Sequence, residues 1–417
     1  MQPGSGRLTK DTRPTMSGAT TDPRLTSRPA PQRRIGFSWS DPRLRALIWQ
    51  VAIIGGIAAI IWYLVANTMR NLEVRRIATG FGFLDNLAGI PIGEHMIDYD
   101  PAVHSYGRAI WVGVLNTLKV SVVGIILSTL LGTLIGIARL SKNWLLARLA
   151  AIYVETIRDI PVLLQLFFWY AIVQSLPAPR QALRPIEGVI LSNRGIKLPL
   201  LEWQPAHSWA LAAFVLGWIG TASWARMARR RQEASGIRPP VWPAGLALMI
   251  AFPLAVWASL GAPFALEMPV LRGFNFQGGL TLSPEYGALT IGLVIYTAAY
   301  IAEIVRSGIL AVPTGQWEAA GALGLHPWSA MRLIVLPQAL RVIIPPMTST
   351  YLSLAKNSSL AVAIGYQDVV SIVSTILNQT GQAVEGIAVI MLVYLTISLS
   401  ISLFMNWYNA RIALVER

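Results

Sequence analysis

The sequence contains no cysteine and few charged residues, and each shortage excludes a group of functions. Without cysteine the chain can form no disulfide, no thiolate nucleophile and no cysteine-ligated zinc site. The four histidines, His95, His104, His207 and His326, are scattered and show no metal-ligand spacing. Only 13% of the 417 residues are charged, whereas soluble domains have about a quarter. So few charges cannot cover a normal water-exposed surface, so the bilayer is the expected solvent.

The sequence also lacks the motifs of nucleotide-binding and hydrolytic enzymes. It has no G-x-x-x-x-G-K-[ST] P-loop, no nucleophile elbow, no HExxH and no EF-hand loop. We therefore expect no catalytic residue, no metal site and no cofactor in this chain. The net charge of +14 is compatible with nucleic-acid binding. In so apolar a chain, however, Lys and Arg are expected to hold loops at one membrane face, and no nucleic-acid partner is predicted.

Hydrophobic runs are what the sequence has in abundance, because 54% of its residues are hydrophobic. Eight runs approach the roughly 20 apolar residues that a transmembrane helix needs. They lie at 46–66, 112–138, 160–176, 208–225, 241–261, 286–311, 342–364 and 386–406. The third of these is short unless its helix begins near Ile152. The pattern predicts an all-α integral membrane protein with about eight transmembrane helices.

The distribution of Lys and Arg between loops predicts the orientation. With the N-terminus in the cytoplasm, the cytoplasmic segments have roughly twice as many Lys and Arg as the opposite segments. Residues 1–45 alone contain nine, and their polar composition predicts a basic, disordered cytoplasmic tail. The C-terminus, 410–417, is also expected in the cytoplasm. Arg70, Arg75 and Arg76 fall on the opposite side and fit this topology poorly.

Composition separates a predicted transport core from additions to it. Residues 110–176 and 286–409 combine polar, apolar and small residues, which is typical of helices that contact one another. The run at 46–66 is interpreted as an extra N-terminal transmembrane anchor. The insert at 177–285 contains a Trp- and Leu-rich transmembrane hairpin at 208–261. We therefore expect a five-helix core, with the first helix and the hairpin added to it.

The segment 313–337 is too polar to span the membrane and too apolar for an ordinary loop. Residues 316–323 are rich in strong helix formers, and Gly324 suits the left-handed residue that ends a helix. Pro327 suits the first position of a second short helix, after which Pro337 should open the next span. Because an apolar knob in water is costly unless it is covered, we expect a docking element for a soluble partner.

A longer motif, E-A-A-x3-G-x9-I-x-L-P, lies in the same segment. It consists of Glu318, Ala319, Ala320, Gly324, Ile334, Leu336 and Pro337. This spacing resembles the EAA loop of permease subunits of bacterial ABC importers. The stretches YVETIRDIPVLLQLFFWY (153–170), AYIAEIVRSGI (299–309) and LAKNSSLAVAIG (354–365) resemble the polar-amino-acid branch of that family. With its first span and its large insert, the chain is similar to the enlarged general L-amino-acid permeases.

The resemblance implies a type I ABC importer transmembrane domain that carries amino acids across the bacterial inner membrane. Such a permease subunit would form the translocation path with a second permease subunit, identical or related. A separate ATPase subunit would bind ATP and Mg²⁺ and receive the seven motif residues in its cleft. A periplasmic amino-acid-binding protein would deliver the substrate. The chain would then be a transport subunit rather than an enzyme.

Charged residues within or beside the spans are candidates for function, because a charge in the bilayer is costly. Glu303 and Arg306 stand three residues apart on one helix face and can pair. The pair is interpreted either as a gate or brace next to the EAA loop, or as a local ion pair. The same alternatives apply to Arg158. Lys356 and Asn357, midway along the seventh span, are candidates for the substrate path.

The predicted periplasmic side has one long loop and two charged residues to which a position can be assigned. The periplasmic loop at 67–109 is either a small cap or interfacial helix, or an ordinary surface loop. Lys119, near the outer end of its span, is expected to extend its ammonium group to water. Asp368 is expected to be a solvated carboxylate in an exterior loop.

Two other functions are compatible with eight spans. A secondary amino-acid transporter driven by an ion gradient would need midplane carboxylates and an inverted repeat, and neither is clear in the sequence. A structural or assembly membrane protein would have no transport path. Because neither function explains the seven-residue motif, the ABC permease is the preferred interpretation.

Overall fold

The fold was examined in a computed structural model that describes residues 42–74, 79–237, 239–273 and 275–412. The chain divides into two units, Met1–Arg75 and Arg76–Arg417. Seven helices of the described residues are long and apolar enough to cross a membrane, or eight if one bent pair counts as a span. The prediction of a helical membrane protein with about eight spans is confirmed.

The described part of the first unit is a single helix, α1 (Pro42–Val74). It is longer at both ends than the apolar run predicted at 46–66, so the helix includes Arg70. Most of the predicted tail, residues 1–41, lies outside the described residues, as do Arg75, Arg76 and 413–417.

The second unit contains the remaining helices. In chain order they are α2 (Tyr106–Ala138), α3 (Trp144–Asp159), α4 (Val162–Gln174), α5 (Pro205–Ser235), α6 (Trp242–Leu246), α7 (Phe252–Ser259), α8 (Pro284–Leu310), α9 (Thr314–Ala322), α10 (Pro327–Ala330), α11 (Leu336–Asn357), α12 (Val369–Thr380) and α13 (Ala383–Ile412). A π-helical turn joins α6 to α7, so that Trp242–Ser259 is one apolar helix.

The region predicted as one span at 160–176 is instead a bent pair, because α3 and α4 meet at 106°. Pro161 stands at the bend and has no N–H to continue a helix, and it forces the residue before it into an extended conformation. The side-chain amide of Gln165 donates to the carbonyl oxygens of Ile157 and Ile160, at 2.8 and 2.9 Å. These bonds satisfy carbonyls that the end of α3 leaves free.

Helix α8 is the centre of the core, with the largest buried share of any described candidate span. Helix α2 approaches it closely because glycines stand at the contact. A β-carbon on Gly132 would lie 2.7 Å from the carbonyl oxygen of Ala298, and one on Gly136 would lie 2.7 Å from that of Ala302. Small residues four apart allow such close packing between transmembrane helices. The pair α2–α8 therefore has no room for larger side chains at these positions.

The insert contains short strands that the sequence analysis missed. They are β1 (Leu183–Ile186), β2 (Val189–Ser192), β3 (Gly195–Leu198), β4 (Leu200–Leu201), β5 (Leu266–Glu267), β6 (Val270–Arg272), β7 (Asn275–Gln277) and β8 (Leu280–Leu282). An antiparallel sheet has the order β1-β2-β3-β8, so it joins the two ends of the insert. Between them, α5 packs on Trp242–Ser259 as a helical hairpin, which corresponds to the hairpin predicted at 208–261.

The segment 313–337 forms one short helix, a turn and the start of a long helix. After α9, Gly324 takes a left-handed conformation with φ of 70°, and Pro327 begins α10. The second short helix does not end before Pro337, contrary to the prediction. It continues through a π-helical turn, Met331–Val335, so that Pro327–Ile364 is continuous. In that wider turn the N–H of Leu336 reaches the carbonyl oxygen of Met331, which accommodates the proline that follows.

Candidate functional site

The core places the candidate functional residues at its two ends. Helix α8 begins beside residues 79–105, which lie between α1 and α2 and which we call the cap; the other described residues of the loop predicted at 67–109 belong to those two helices. Helix α8 ends just before residues 313–337, which we call the EAA loop. These two ends of the core are named the cap end and the EAA end.

The EAA loop presents an exposed apolar surface. Leu323 is 78% exposed and Trp328 is 68% exposed, on either side of the turn at Gly324. Glu318 and Ala319 of α9 are exposed as well. Large apolar side chains that are mostly exposed on either side of a turn are typical of a site where a partner binds.

The other motif residues are less exposed and lie beneath this surface. Ala320 is fully buried because α9 turns this position toward its own chain, and its role in ATPase coupling stays a prediction. Ile334 and Pro337 are half-buried, and Leu336 is partly exposed. The motif therefore combines exposed positions for docking with inner positions that fix the shape of the loop.

The two helices that carry the EAA loop are locked together beneath it. Gly308 of α8 lies directly against the side chain of Ile343 on α11, with no space for a β-carbon. A buried apolar cluster surrounds this contact and includes Val305, Val312, Val335 and Ala339. Because protein interiors are close-packed and transmit strain, the loop, α8 and α11 should move as one body.

An ion cluster joins α2, α3 and α8 at the EAA end. The guanidinium of Arg306 donates to Glu303, with Nη2 2.6 Å from Oε1, as the i,i+3 spacing indicates. Glu303 also accepts a hydrogen bond from Arg139, which directly follows α2 and which the sequence analysis missed. The side chain of Arg139 is only 14% exposed, and its other terminal nitrogen lies 3.9 Å from Glu155 of α3. Three helices thus meet through one arginine.

Of the remaining candidates from the sequence, Arg158 lies near enough to Glu303 to interact with it electrostatically, whereas Lys356 and Asn357 lie at the other end of the core. Arg158 of α3 places its guanidinium over the ring of Tyr300, 5.1 Å from the centroid, so its described contact is with α8. Lys356 and Asn357 do not lie midway along a span, as expected, but at the cap-side end of α11. There the helix tightens into a 3₁₀ segment, Ser358–Ile364, and Lys356 is exposed.

At the cap end, Lys119 does not extend to water as expected but pairs with Glu94 of the cap. Its ammonium group also lies 4.1 Å from the centroid of the Tyr286 ring. The second oxygen of Glu94 accepts hydrogen bonds from Ser283, at 2.7 Å from the hydroxyl and 3.2 Å from the N–H. Asn116 donates to the carbonyl oxygens of Glu94 and Gln367, both at 2.9 Å. Glu94 thus binds α2, α8 and the cap together.

The cap has a core of its own, so the structure favours a cap over an ordinary surface loop. Phe83, Ile90 and Tyr99 are buried in one cluster with residues of α2 and α12. The hydroxyl of Tyr99 donates to the carbonyl oxygen of Ile90 at 2.9 Å. A short 3₁₀ helix, Phe81–Asp85, is the cap's only helical part among residues 79–105.

Asp368 is buried beneath this end of the core, so the expectation of a solvated carboxylate is wrong. Its carboxylate caps α12 by accepting from the N–H of Ser371 at 2.8 Å, and Tyr394 donates to it at 3.4 Å. The chain around it is held inward by Gln367, whose carbonyl oxygen accepts from Asn116. Burial raises the pKa of Asp368 to about 7.

Asp368→Asn should make the stability of the subunit less dependent on pH. The carboxyl has its ordinary pKa of 3.8 when unfolded and about 7 when folded, so the folded chain retains a proton that the unfolded chain has released. Stability contributed by Asp368 therefore falls as the pH rises from about 4 to about 7. Asparagine keeps the helix cap but cannot ionise. Thermal midpoints of the solubilised complex should fall less over this pH range in the variant, and equal slopes would contradict the assignment.

Within the described part of the chain, no group of three or more His, Asp or Glu side chains is placed to hold a metal ion. The chemistry of the EAA end is apolar docking and ion pairing, and that of the cap end is charge pairing.

Similarity to known proteins agrees with this architecture. Residues 239–414 match the family model of the binding-protein-dependent transport system inner membrane component. The chain is 48% identical over 383 residues to a putative amino-acid ABC transporter permease, YhdX of Escherichia coli K12, covering 91% of this chain and 97% of that protein. It is 46% identical over 391 residues to the general L-amino acid permease AapQ of Rhizobium johnstonii, covering 92% and 97%.

A third relative is the glutamate/glutamine/aspartate/asparagine permease BztB of Rhodobacter capsulatus. The chain is 41% identical to it over 421 residues, which cover 92% of this chain and 97% of that protein. Each of these alignments extends over nearly the whole of both chains. Because less than a tenth of the chain is unaligned, most of the insert at 177–285 has a counterpart in these proteins.

The multi-pass helical core with its EAA loop, together with these relatives, identifies the chain as the membrane subunit of an ABC importer. The chain belongs to the family of binding-protein-dependent inner membrane components, among the amino-acid ABC transporter permeases. It is a transport subunit of the inner membrane, and ATP hydrolysis belongs to a separate ATPase subunit. Membership implies a second permease subunit as partner, and the alternative of a secondary transporter is wrong.

Proposed function

We propose that this chain forms half of a path through which a broad range of L-amino acids, including acidic residues and their amides, enters the cell. The proposal is supported by two relatives, named for general L-amino acids and for glutamate, glutamine, aspartate and asparagine. Uptake of labelled amino acids by cells with and without the chain tests it. Loss of uptake for several chemical classes is expected, and loss confined to one class would contradict the broad range.

The EAA end is proposed to face the cytoplasm, with both termini on that side, and the cap end the periplasm. The distribution of Lys and Arg supports this orientation. A homologous or identical permease would complete the path, and a periplasmic amino-acid-binding protein would dock at the cap end. ATP and Mg²⁺ would be bound by the ATPase subunit alone, with no cofactor in this chain.

Because the chain has no cysteine, single introduced thiols can test the orientation without background. Leu323→Cys places a thiol at the tip of the EAA loop, and Leu87→Cys places one on the exposed rim of the cap. In cells that lack the ATPase subunit, where the EAA loop stays uncovered, a membrane-impermeant maleimide should label Leu87→Cys in spheroplasts and Leu323→Cys only after the membrane is broken. The reverse pattern would overturn the proposed topology.

The observation that carries the coupling mechanism is the exposed surface of the EAA loop above a locked helix pair. Closure of the ATPase dimer would displace Glu318, Ala319 and Gly324 together with Leu323 and Trp328. Since α8 and α11 are locked below the loop, the displacement would reach the core as a rigid-body motion. Inward- and outward-facing states would form a two-state equilibrium that nucleotide shifts.

We propose that the ion cluster is the brace that passes this motion to α2 and α3. Glu303 is its centre, because it binds Arg306 on its own helix and Arg139 beyond the end of α2. Arg158 adds a second link between α3 and α8 through Tyr300. Lys356, exposed at the cap-side end of α11, and its neighbour Asn357 are proposed to line the substrate path shared with the second permease.

Arg139→Gln should slow transport while leaving the ATPase bound. The change removes the charge that ties α2 and α3 to Glu303, but it leaves the pair of Glu303 with Arg306 intact. Residues that modulate coupling change the coupling free energy by about 0.5–2 kcal/mol, so the rate of uptake should fall about tenfold. Substrate-stimulated ATP hydrolysis should fall in parallel. The control is Arg148→Gln, an exposed arginine of α3. Equal uptake in the two variants would show that the brace is not needed.

A further inference from the structure

The bend between α3 and α4 lies beside the middle of α8, between the EAA end and the cap end of the core. On the α3 side, the hydroxyl of Tyr153 donates to the carbonyl oxygen of Ile295 at 2.7 Å. On the α4 side, a β-carbon on Gly292 would lie 2.7 Å from Cδ2 of Leu166. Both contacts are close to the midpoint of α8, so the bend lies near the midplane of the membrane. Interrupted helices at this depth form the substrate sites of many transporters.

Helix α4 begins at this bend with two backbone N–H groups that have no partner. The N–H groups of Leu164 and Gln165 both reach the carbonyl oxygen of Pro161, at 3.1 and 3.2 Å. Those of Val162 and Leu163 donate to no atom in the described part of the chain, and Pro161 supplies no side-chain cap. Because a helix N-terminus carries a partial positive charge, these two N–H groups are placed to bind a carboxylate.

The other side of the bend has the opposite polarity. Helix α3 ends at Asp159, and the C-terminus of a helix carries a partial negative charge. The amide of Gln165 lies in the bend, because its Nε2 donates to the carbonyl oxygens of Ile157 and Ile160. Gln165 is only 5% exposed, and its Oε1 is buried and accepts no hydrogen bond from the described residues. An unpaired buried acceptor is costly, so this oxygen is placed to accept from a donor that the chain does not supply.

The outer face of the bend is polar. Thr156, Arg158 and Asp159 are all exposed there. A charged side chain near the midplane faces a water-filled cavity or another protein segment, because contact with lipid is too costly. The bend therefore borders either the aqueous path or the second permease. Unpaired groups of both polarities, side by side, favour a small ligand that carries both charges.

We infer that the bend between α3 and α4 binds the two charged groups of an amino acid, an inference that rests on the proposed function. The α-carboxylate accepts hydrogen bonds from the N–H groups of Val162 and Leu163. The α-ammonium group lies at the end of α3 and donates to Oε1 of Gln165 when the path opens beside the bend. Gln165 follows Val162 by three residues, about 4.5 Å along the helix, so one small zwitterion can span both positions.

This mode of binding uses only the groups that all amino acids share. Backbone N–H groups and one amide oxygen do not distinguish an acidic side chain from an amide or an aliphatic one. A site built in this way therefore accounts for a broad range of substrates. It also predicts that a change at the bend alters the affinity for every transported amino acid by the same factor.

The experiment measures equilibrium binding of labelled glutamate, glutamine and leucine to the complex of this chain with its ATPase and second permease. The complex is held in lipid nanodiscs without the binding protein. Val162→Pro removes one free N–H at the first position of α4, where proline is favoured. Pro161 already has the extended conformation, with ψ of 135°, that a following proline requires. Val162→Ala keeps the N–H and measures the effect of the lost side-chain atoms alone.

Val162→Pro should bind each of the three amino acids about tenfold more weakly than Val162→Ala, because it loses a hydrogen bond to a charged group. Equal affinities in the two variants would overturn the inference. If Val162→Pro loses the second permease during purification and Val162→Ala retains it, the bend is a protein interface and the inference is wrong.

Gln165→Met tests the ammonium side, and competing ligands separate binding from structural damage. The variant should bind leucine about tenfold more weakly, and its affinity for the 2-oxo acid of leucine, which has no ammonium group, should not change. An equal loss for both ligands would assign Gln165 a structural role only and contradict the inference. If the unmodified complex binds none of the labelled amino acids, the proposed function fails as well. If it binds them and the two Val162 variants do not differ, only the site is wrong.

Discussion

Leu323→Asp should abolish amino-acid uptake and substrate-stimulated ATP hydrolysis while the subunit remains in the membrane. Leu323 is the most exposed large apolar side chain of the EAA loop, so the change removes little packing within the chain. In the complex it would bury an unpaired carboxylate at the centre of an apolar interface, which is costly. Residues at the centre of an interface contribute about 2 kcal/mol or more to the binding free energy, so the affinity of the permease for the ATPase should fall about thirtyfold or further.

The measurement is co-purification of the ATPase with the tagged permease, together with uptake of labelled amino acid. Leu183→Asp, on an exposed strand of the insert, makes the same chemical change away from the loop and should leave both readouts intact. Gly324→Asp provides a second variant, because it places a carboxylate on the same surface at a φ of 70°, which glycine adopts most readily. Normal uptake by Leu323→Asp would refute docking through this surface.

Gly136→Leu should prevent accumulation of folded subunit. A β-carbon at this position would lie 2.7 Å from the carbonyl oxygen of Ala302 and 3.0 Å from the β-carbon of Val305, so the backbones of α2 and α8 would have to separate. Overpacking of one methylene costs about 1–3 kcal/mol, and a whole leucine side chain should cost more. Because the EAA loop directly follows α8, a displacement of α8 should also displace the exposed surface of the EAA loop.

Yield after membrane extraction and the thermal midpoint of the solubilised complex measure this effect. Gly55→Leu is the matched control, since no described residue lies within 4 Å of a β-carbon at Gly55 and residues 51–66 around it are all hydrophobic or glycine. The control should behave as the unmodified chain does. Equal midpoints for the two variants would show that the contact between α2 and α8 is loose.

Features set by neighbouring residues were predictable from the sequence. The turn at Gly324 and the helix start at Pro327 follow from backbone preferences of those two residues alone. The spacing of Glu303 and Arg306 places them on one helical face whatever surrounds the helix. Pro161 likewise marks the break between α3 and α4, although the apolar run around it suggested one continuous span. Hydropathy counts apolar residues and does not register where a helix loses its hydrogen bond.

Features set by distant residues were not predictable. Arg139 and Glu303 are 164 positions apart, and no local pattern indicates that they meet. Lys119 forms an ion pair instead of extending to water because the cap places Glu94 over the outer end of α2. Asp368 has a sequence context typical of a loop, and nothing in that context indicates the hydrogen bond that it accepts from Tyr394 of α13. The strands of the insert have two to four residues, too few for an alternating pattern to be recognised.

The continuous helix from the EAA loop through α11 makes this part of the chain a lever. From Pro327 to Asn357 it is about 45 Å long, so a tilt of about 5° at the ATPase would swing the far end by about 4 Å. Trp328 stands at the driven end and Lys356 near the other. A movement of the EAA loop with the ATPase and an opening of the path at the cap end would thus result from the same tilt of one helix. The stiffness of this helix, in which Pro345 and Pro346 each remove a backbone hydrogen bond, would then set how closely transport follows ATP hydrolysis.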